Sequence, residues 1–152
     1  MESLSMTKIL LKECIDSEFE NIQTVISELE KVVLPRKNVY STVELAAIAT
    51  FLHNFYNGAE NILKRIFVFQ KLEIKPSPTW HKDLLEQAEK IGIISSALHD
   101  SLMGFLSFRH FFVHSYCFSL KWDQIAPLAS SGREVSDYFI NSVSEYLKQI
   151  ES

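Results

Sequence analysis

Leu4, Leu11, Ile15, Phe19, Ile22, Ile26, Leu29 and Val33 fall at intervals of three, four or seven residues. That spacing lays one continuous apolar stripe along an α-helix and does not fit a strand, whose faces alternate at every residue. A stripe of this length needs other helices to cover it, so the first thirty or so residues point towards an all-helical packing. The rest of the chain agrees, because Gly and Pro number only four each in 152 residues. So few turn formers favour long helices over many short strands.

The helices can be placed from their start and stop signals. The first is expected over Ser5–Leu34, closed by Pro35, which lacks an amide donor and restricts the residue before it. "RKN" links it to a second helix that opens at Ser41, where Ser41 and Glu44 form the S-x-x-E capping pattern. This helix should reach Gln70. It contains Gly58, which costs about 1 kcal/mol relative to alanine and is best explained by close helix packing. "KPSPTW" breaks the chain, and a third helix is expected over Thr79–Ile91, with Gly92 as its stop. The fourth starts at Ser95 or Ser96 and runs through "FLSFRHFFVHSYCFSL". "KWDQIAPLASSG" reads as a loop with at most one helical turn. The fifth, Gly132–Ile150, carries Val135, Tyr138, Phe139, Val143, Tyr146 and Leu147 on one side. The length suits one domain over residues 1–152, and the whole reads as an all-α, antiparallel bundle of about five helices with short connections.

Composition narrows the function. Apolar residues make up 47% and charged residues 22%, the balance of a globular chain with its own core. The net charge of −4 argues against a broadly basic surface, so any nucleic acid must be met by a local cluster. Cys14 and Cys117 lack metal-site spacing and fit reduced thiols of a cytoplasmic protein. The N-terminal segment has acidic residues on both sides of a short apolar run, unlike a signal peptide. No run approaches the roughly 18 apolar residues of a membrane helix, so no membrane partner is expected.

The chemistry gathers in the fourth helix. At about 100° per residue, Phe105, Phe108, Phe111, Phe112 and Phe118 share one arc, the expected core face. Arg109, His110, His114, Tyr116 and Cys117 fall on the other arc, together with His99, Leu102, Met103, Leu106 and Val113. A face that mixes ionisable and apolar groups suits a subunit interface or a pocket wall. A two-fold dimer across it would repeat the same patch on both subunits.

"RHFFVHSY" is R-x4-H-x-Y, formed by Arg109, His114 and Tyr116. It resembles the signature of the HEPN ribonuclease superfamily, and in this form that of the HepT-like toxins. The polar His110 directly after the arginine fits as well. "FYNGAENILKRI" and "SPTWHKDLLEQ" resemble the corresponding second- and third-helix regions, so the likeness spans nearly the whole chain. The resemblance implies a HEPN domain acting as the toxin of a type VII HEPN/MNT toxin–antitoxin system. It implies metal-independent cleavage of RNA, tRNA in particular, at a site shared across a homodimer, with no cofactor. It also implies an MNT-type nucleotidyltransferase antitoxin that attaches AMP to Tyr116.

Those residue types suit that chemistry. Histidine titrates near neutrality and can act as base or acid. Arginine stays charged and offers a fork matched to phosphate oxygens. His114 is therefore the expected acid/base, Arg109 the phosphate group, and His110 a supporting or substrate-binding residue. An AMP on Tyr116 would set negative charge and bulk over the site. Two alternatives use the same residues: a non-catalytic HEPN module that binds a nucleotide or a partner nucleotidyltransferase, and a structural bundle that uses the face only to dimerise. His110 and His114 could also hold a metal ion if Glu60 or Asp100 approached, but the HExxH pattern is absent, and no metal is assigned. His53, His81 and His99 read as surface or packing residues. Glu60 could face the site from the second helix, and Lys64, Arg65 and Lys71 could line a basic stripe for RNA.

Overall fold

The computed structural model describes the backbone of residues 2–151, and the side chains of residues 8–150 except that of residue 117. The expected stripe member Leu4 and the Cys117 thiol thus lie outside the described side chains. Five helices follow one another: α1 (Glu2–Val32), α2 (Thr42–Phe69), α3 (Trp80–Lys90), α4 (Ser96–His114) and α5 (Trp122–Glu151), with a 3-10 turn at Cys117–Ser119 between the last two. No strand occurs among the described residues.

Side-chain pairings fix the directions. Ile22 of α1 lies against Gly58 of α2, while Leu10 and Cys14 share a groove with Arg65 and Val68, so α1 and α2 are antiparallel. Glu30 meets Arg133, and Lys8 and Leu11 share a hollow with Leu147 and Ile150, so α5 also runs against α1. Ser95 bonds Tyr138 and Gly104 faces Leu128, which sets α4 against α5. α2 touches every other helix and is the centre of the bundle. Its fully buried Ile48, Leu52, Phe55, Ile62, Leu63 and Ile66 meet Ile15, Ile22, Ile26 and Leu29 of α1, Leu98, Leu102 and Phe105 of α4, and Phe139 and Val143 of α5. Each such side chain contributes about 1.5–3 kcal/mol through its removal from water.

The local signals behind α2 and α3 are all present. The Ser41 hydroxyl accepts from the Glu44 amide at 3.1 Å and the Glu44 carboxylate accepts from the Ser41 amide at 2.9 Å, completing the capping box. After α3, the Ile93 amide returns to the Ala88 carbonyl at 2.9 Å and the Gly92 amide to Glu89 at 3.1 Å, with Gly92 at φ +91°. This is the Schellman closure that glycine favours. The end of α2 uses the same closure with Lys71 in the left-handed position, at φ +59°. Gly58 is a packing glycine: a methyl group there would meet Ile22 Cγ1 at 2.9 Å.

Four expectations need correction. α1 closes at Val32, two residues before the expected end. The segment taken for a loop, from Trp122 to Ser131, is the opening of α5, which starts about ten residues early and carries Pro127 within it. Pro127 is the sixth residue of α5, so it forfeits the amide bond back to residue 123 and crowds that carbonyl, at a cost of about 3 kcal/mol. Packing offsets this: Ile125 is fully buried and the Trp122 ring lies 4.5 Å from that of Tyr40. α4 stops at His114, where Ser115 turns extended at φ −120° and ψ 154°, so Tyr116 and Phe118 are not on the helix. Phe118, expected in the core, is 71% exposed.

Candidate functional site

The buried stripe of α4 is Leu98, Leu102, Phe105 and Phe108, with Phe111 and Phe112 partly buried. Residues 98, 102, 105, 109 and 112 step by four, three, four and three, which is core spacing. Arg109 therefore sits on the inward stripe, partly buried, rather than on the outer arc where it was expected. A cation placed there must find polar partners, because burying it bare is costly. Its Nε–H donates to Asn57 Oδ1 of α2 at 3.3 Å. Asn57 Nδ2 pairs with His53 Nε2 at 3.0 Å, and the His53 ring lies 5.1 Å from Phe112. Burial pushes the His53 pKa down from its usual value, and the Arg109 charge pushes it the same way.

The arrangement continues along α2. His53, Asn57, Glu60 and Lys64 step by four, three and four, so they form one polar line along α2. Glu60 is only 3% exposed. Its two oxygens lie 2.9 and 2.8 Å from His81 Nδ1 of α3, and Lys64 Nζ is 3.4 Å from it. Lys64 also sits over the Trp80 ring at 5.1 Å. Tyr56 is buried between the two halves of this line. Burial raises its phenol pKa well above normal, the Glu60 charge adds to that, and Arg109 opposes it. The Tyr56 hydroxyl feels Glu60 at close range without reaching a hydrogen bond of ordinary geometry.

On the opposite side of α4, His110 and His114 are exposed and touch edge to face, with ring centroids 4.8 Å apart. Tyr116 is 74% exposed and its ring stacks on Phe118 at 5.2 Å, nearly parallel. Val113 is exposed beside them in sequence. The end of α4 thus presents two paired imidazoles, and the segment after it an exposed pair of aromatic rings.

The structure therefore divides the expected site in two. His110 and His114 share the outer surface of α4, and Tyr116 is exposed in the segment just past its end. Arg109 lies on the inward stripe, and among the described residues no hydrogen bond or ring contact joins it to His114. Five positions along α4 separate the two side chains by about 140°. Glu60 does enter a polar cluster, but its partner is His81. Lys64 is engaged by Glu60 and Trp80, and it lines the groove between α1 and α2 beside Arg65, while Lys71 lies outside that groove. Among the described residues no group of three or more His, Cys, Asp or Glu is placed to hold a metal ion. His53, Asn57, Tyr56 and His81 were missed as polar partners. The signal that could have found His53 and Asn57 is the four-three-four spacing of polar residues inside the most apolar stretch of α2.

A family model described as "HepT-like protein" matches residues 47–150, which cover most of α2, all of α3 and α4 and nearly all of α5. The chain belongs to this family. Neither the curated proteins nor the solved structures give a match. No helix among the described residues is long and apolar enough to cross a membrane.

Proposed function

We propose that this protein is the toxin of an HEPN/MNT pair: a cytoplasmic, metal-independent endoribonuclease that acts on tRNA as a homodimer. One observation carries the reading. Arg109, His114 and Tyr116 stand in R-x4-H-x-Y order at the end of α4 in a chain of the HepT-like family. The exposure of His110, His114 and Tyr116 beside Val113 and Phe118 supports an interface there, since a two-fold axis through this surface brings two such sets together.

In this reading His114 takes the proton from the ribose 2′-hydroxyl, whose oxygen attacks the adjacent phosphorus. The bond to the 5′-oxygen breaks, and that oxygen receives a proton from the second histidine of the dimer. Arg109 holds the non-bridging oxygens as charge builds on them. The products are a 2′,3′-cyclic phosphate and a free 5′-hydroxyl. His110 supports His114 or contacts the substrate. The antitoxin silences the site by joining the Tyr116 oxygen to the α-phosphorus of ATP with release of pyrophosphate. The added negative charge and bulk then repel and occlude RNA.

The test is cleavage of a total tRNA pool in EDTA by the wild type and by His114→Ala, with dimerisation followed in both. Cleavage by the wild type alone supports the assignment. Equal cleavage by both removes His114 from the chemistry, and binding without cleavage by unmodified wild type makes the protein a non-catalytic module. Tyr116→Phe should cleave as the wild type does yet resist the nucleotidyltransferase.

A further inference from the structure

We infer that Asn57 is a positioning residue that sets the direction of the Arg109 guanidinium, and that His53 in turn holds Asn57 the right way round. This rests on the reading of Arg109 as the group that holds phosphate. The argument follows from donor counting. A guanidinium only donates, so the Asn57 atom 3.3 Å from Arg109 Nε must be the carbonyl oxygen. The amide nitrogen then faces His53 Nε2 at 3.0 Å, and being a donor it needs an acceptor there. His53 Nε2 is therefore unprotonated and the ring proton sits on Nδ1, which is buried without a partner. Turning the Asn57 amide over would set donor against donor at the arginine. The order of the chain is thus fixed from His53 to Asn57 to Arg109.

The consequence lies in what is left free. With Nε engaged at α2, the plane of the guanidinium is fixed. No side chain among the described residues bonds its two terminal nitrogens. Those two form the edge that matches a pair of phosphate oxygens. Without Asn57 the charge would remain, but the fork would lose its direction. Such a defect falls on kcat more than on KM, because attraction for an anion survives while alignment in the transition state does not.

The test compares Asn57→Ala and Asn57→Asp with the wild type, by hydrogen exchange of the Arg109 Nε–H in NMR spectra and by RNA cleavage kinetics. Asn57→Ala should speed that exchange at least tenfold. It should lower kcat about 10- to 100-fold, the span of one hydrogen bond to a charged group, with KM within about threefold by the same reasoning. Asn57→Asp still offers an oxygen and should keep the Nε–H protected. Unchanged exchange and unchanged kcat in Asn57→Ala overturn the inference. If Asn57→Ala does not fold, His53→Phe replaces it: with its acceptor gone Asn57 can turn, and Nε–H exchange should again accelerate, while protection at the wild-type level overturns the inference. If the wild type cleaves no RNA, the ribonuclease reading fails, and the exchange measurements alone still decide whether Asn57 orients Arg109.

Discussion

Replacing His81 with alanine tests how the buried end of the polar line is held. Glu60 is 3% exposed, and both of its oxygens lie within 2.9 Å of His81 Nδ1, while Lys64 is farther off at 3.4 Å. Without the imidazole the carboxylate depends on Lys64 alone. A hydrogen bond to a charged group contributes about 1.5–3 kcal/mol. The His81 side chain is 36% exposed, so water can partly replace it, and a loss of about 1–2 kcal/mol is expected. For a chain of this size that lowers Tm by about 2–8 °C. Part of the change comes from the Trp80 ring, which meets His81 edge to face at 5.2 Å. A double-mutant cycle with Glu60→Gln, read by urea denaturation at pH 7, removes that contribution. The coupling should be about 1 kcal/mol. Additivity of the two single changes within about 0.3 kcal/mol would refute the idea that His81 holds Glu60.

Gly58→Ala should destabilise by about 1 kcal/mol in urea denaturation: helix propensity gains about 1 kcal/mol, but crowding the buried, branched Ile22 at 2.9 Å costs about 1–3 kcal/mol. Lys71→Gly should stabilise by about 1 kcal/mol, because the left-handed closure of α2 at φ +59° strains any residue with a side chain. The His53 imidazole is held below its ordinary range, first by burial and then by Arg109. The unfolded chain takes up a proton there as pH falls past about 6.5 while the folded chain does not, so stability falls below that pH and is unaffected above it. His53→Gln should lose less stability than the wild type between pH 7.5 and 5.5.

Which parts of this molecule could be read from its sequence follows from where the deciding forces act. The capping box at Ser41 and Glu44 and the glycine closure at Gly92 are local, and both are present as expected. The stripe of α1 is local too, since its period is the helix period. The start of α5 was not legible, because "APLASSG" is punctuated by proline, serines and a glycine. There the fold overrides local preference: Ile125 is fully buried, and a methyl group at Gly132 would lie 3.1 Å from Leu29, so the glycine serves packing rather than a break. The end of α4 was hidden for the opposite reason. "VHSYCFS" holds weak helix formers but no stop, and the buried Leu120 is what draws the chain back towards α5. Arg109 was misplaced because the wheel was centred on phenylalanines. With Leu98 and Leu102 counted, the inward stripe moves round to include it. Its partner Asn57 lies more than fifty residues away, so the spacing within α2 could single Asn57 out but not pair it with Arg109.

Tyr116 lies past the last turn of α4, after an extended Ser115, with its ring against Phe118 and most of its surface in water. It is carried on a short tether instead of a rigid rod. A mass added to its hydroxyl would displace solvent and leave every helix contact of the bundle in place. Melting curves of a single protomer would therefore be blind to whether Tyr116 carries anything. Two preparations with superimposable unfolding could differ completely in what they do, and weighing the intact chain would tell them apart.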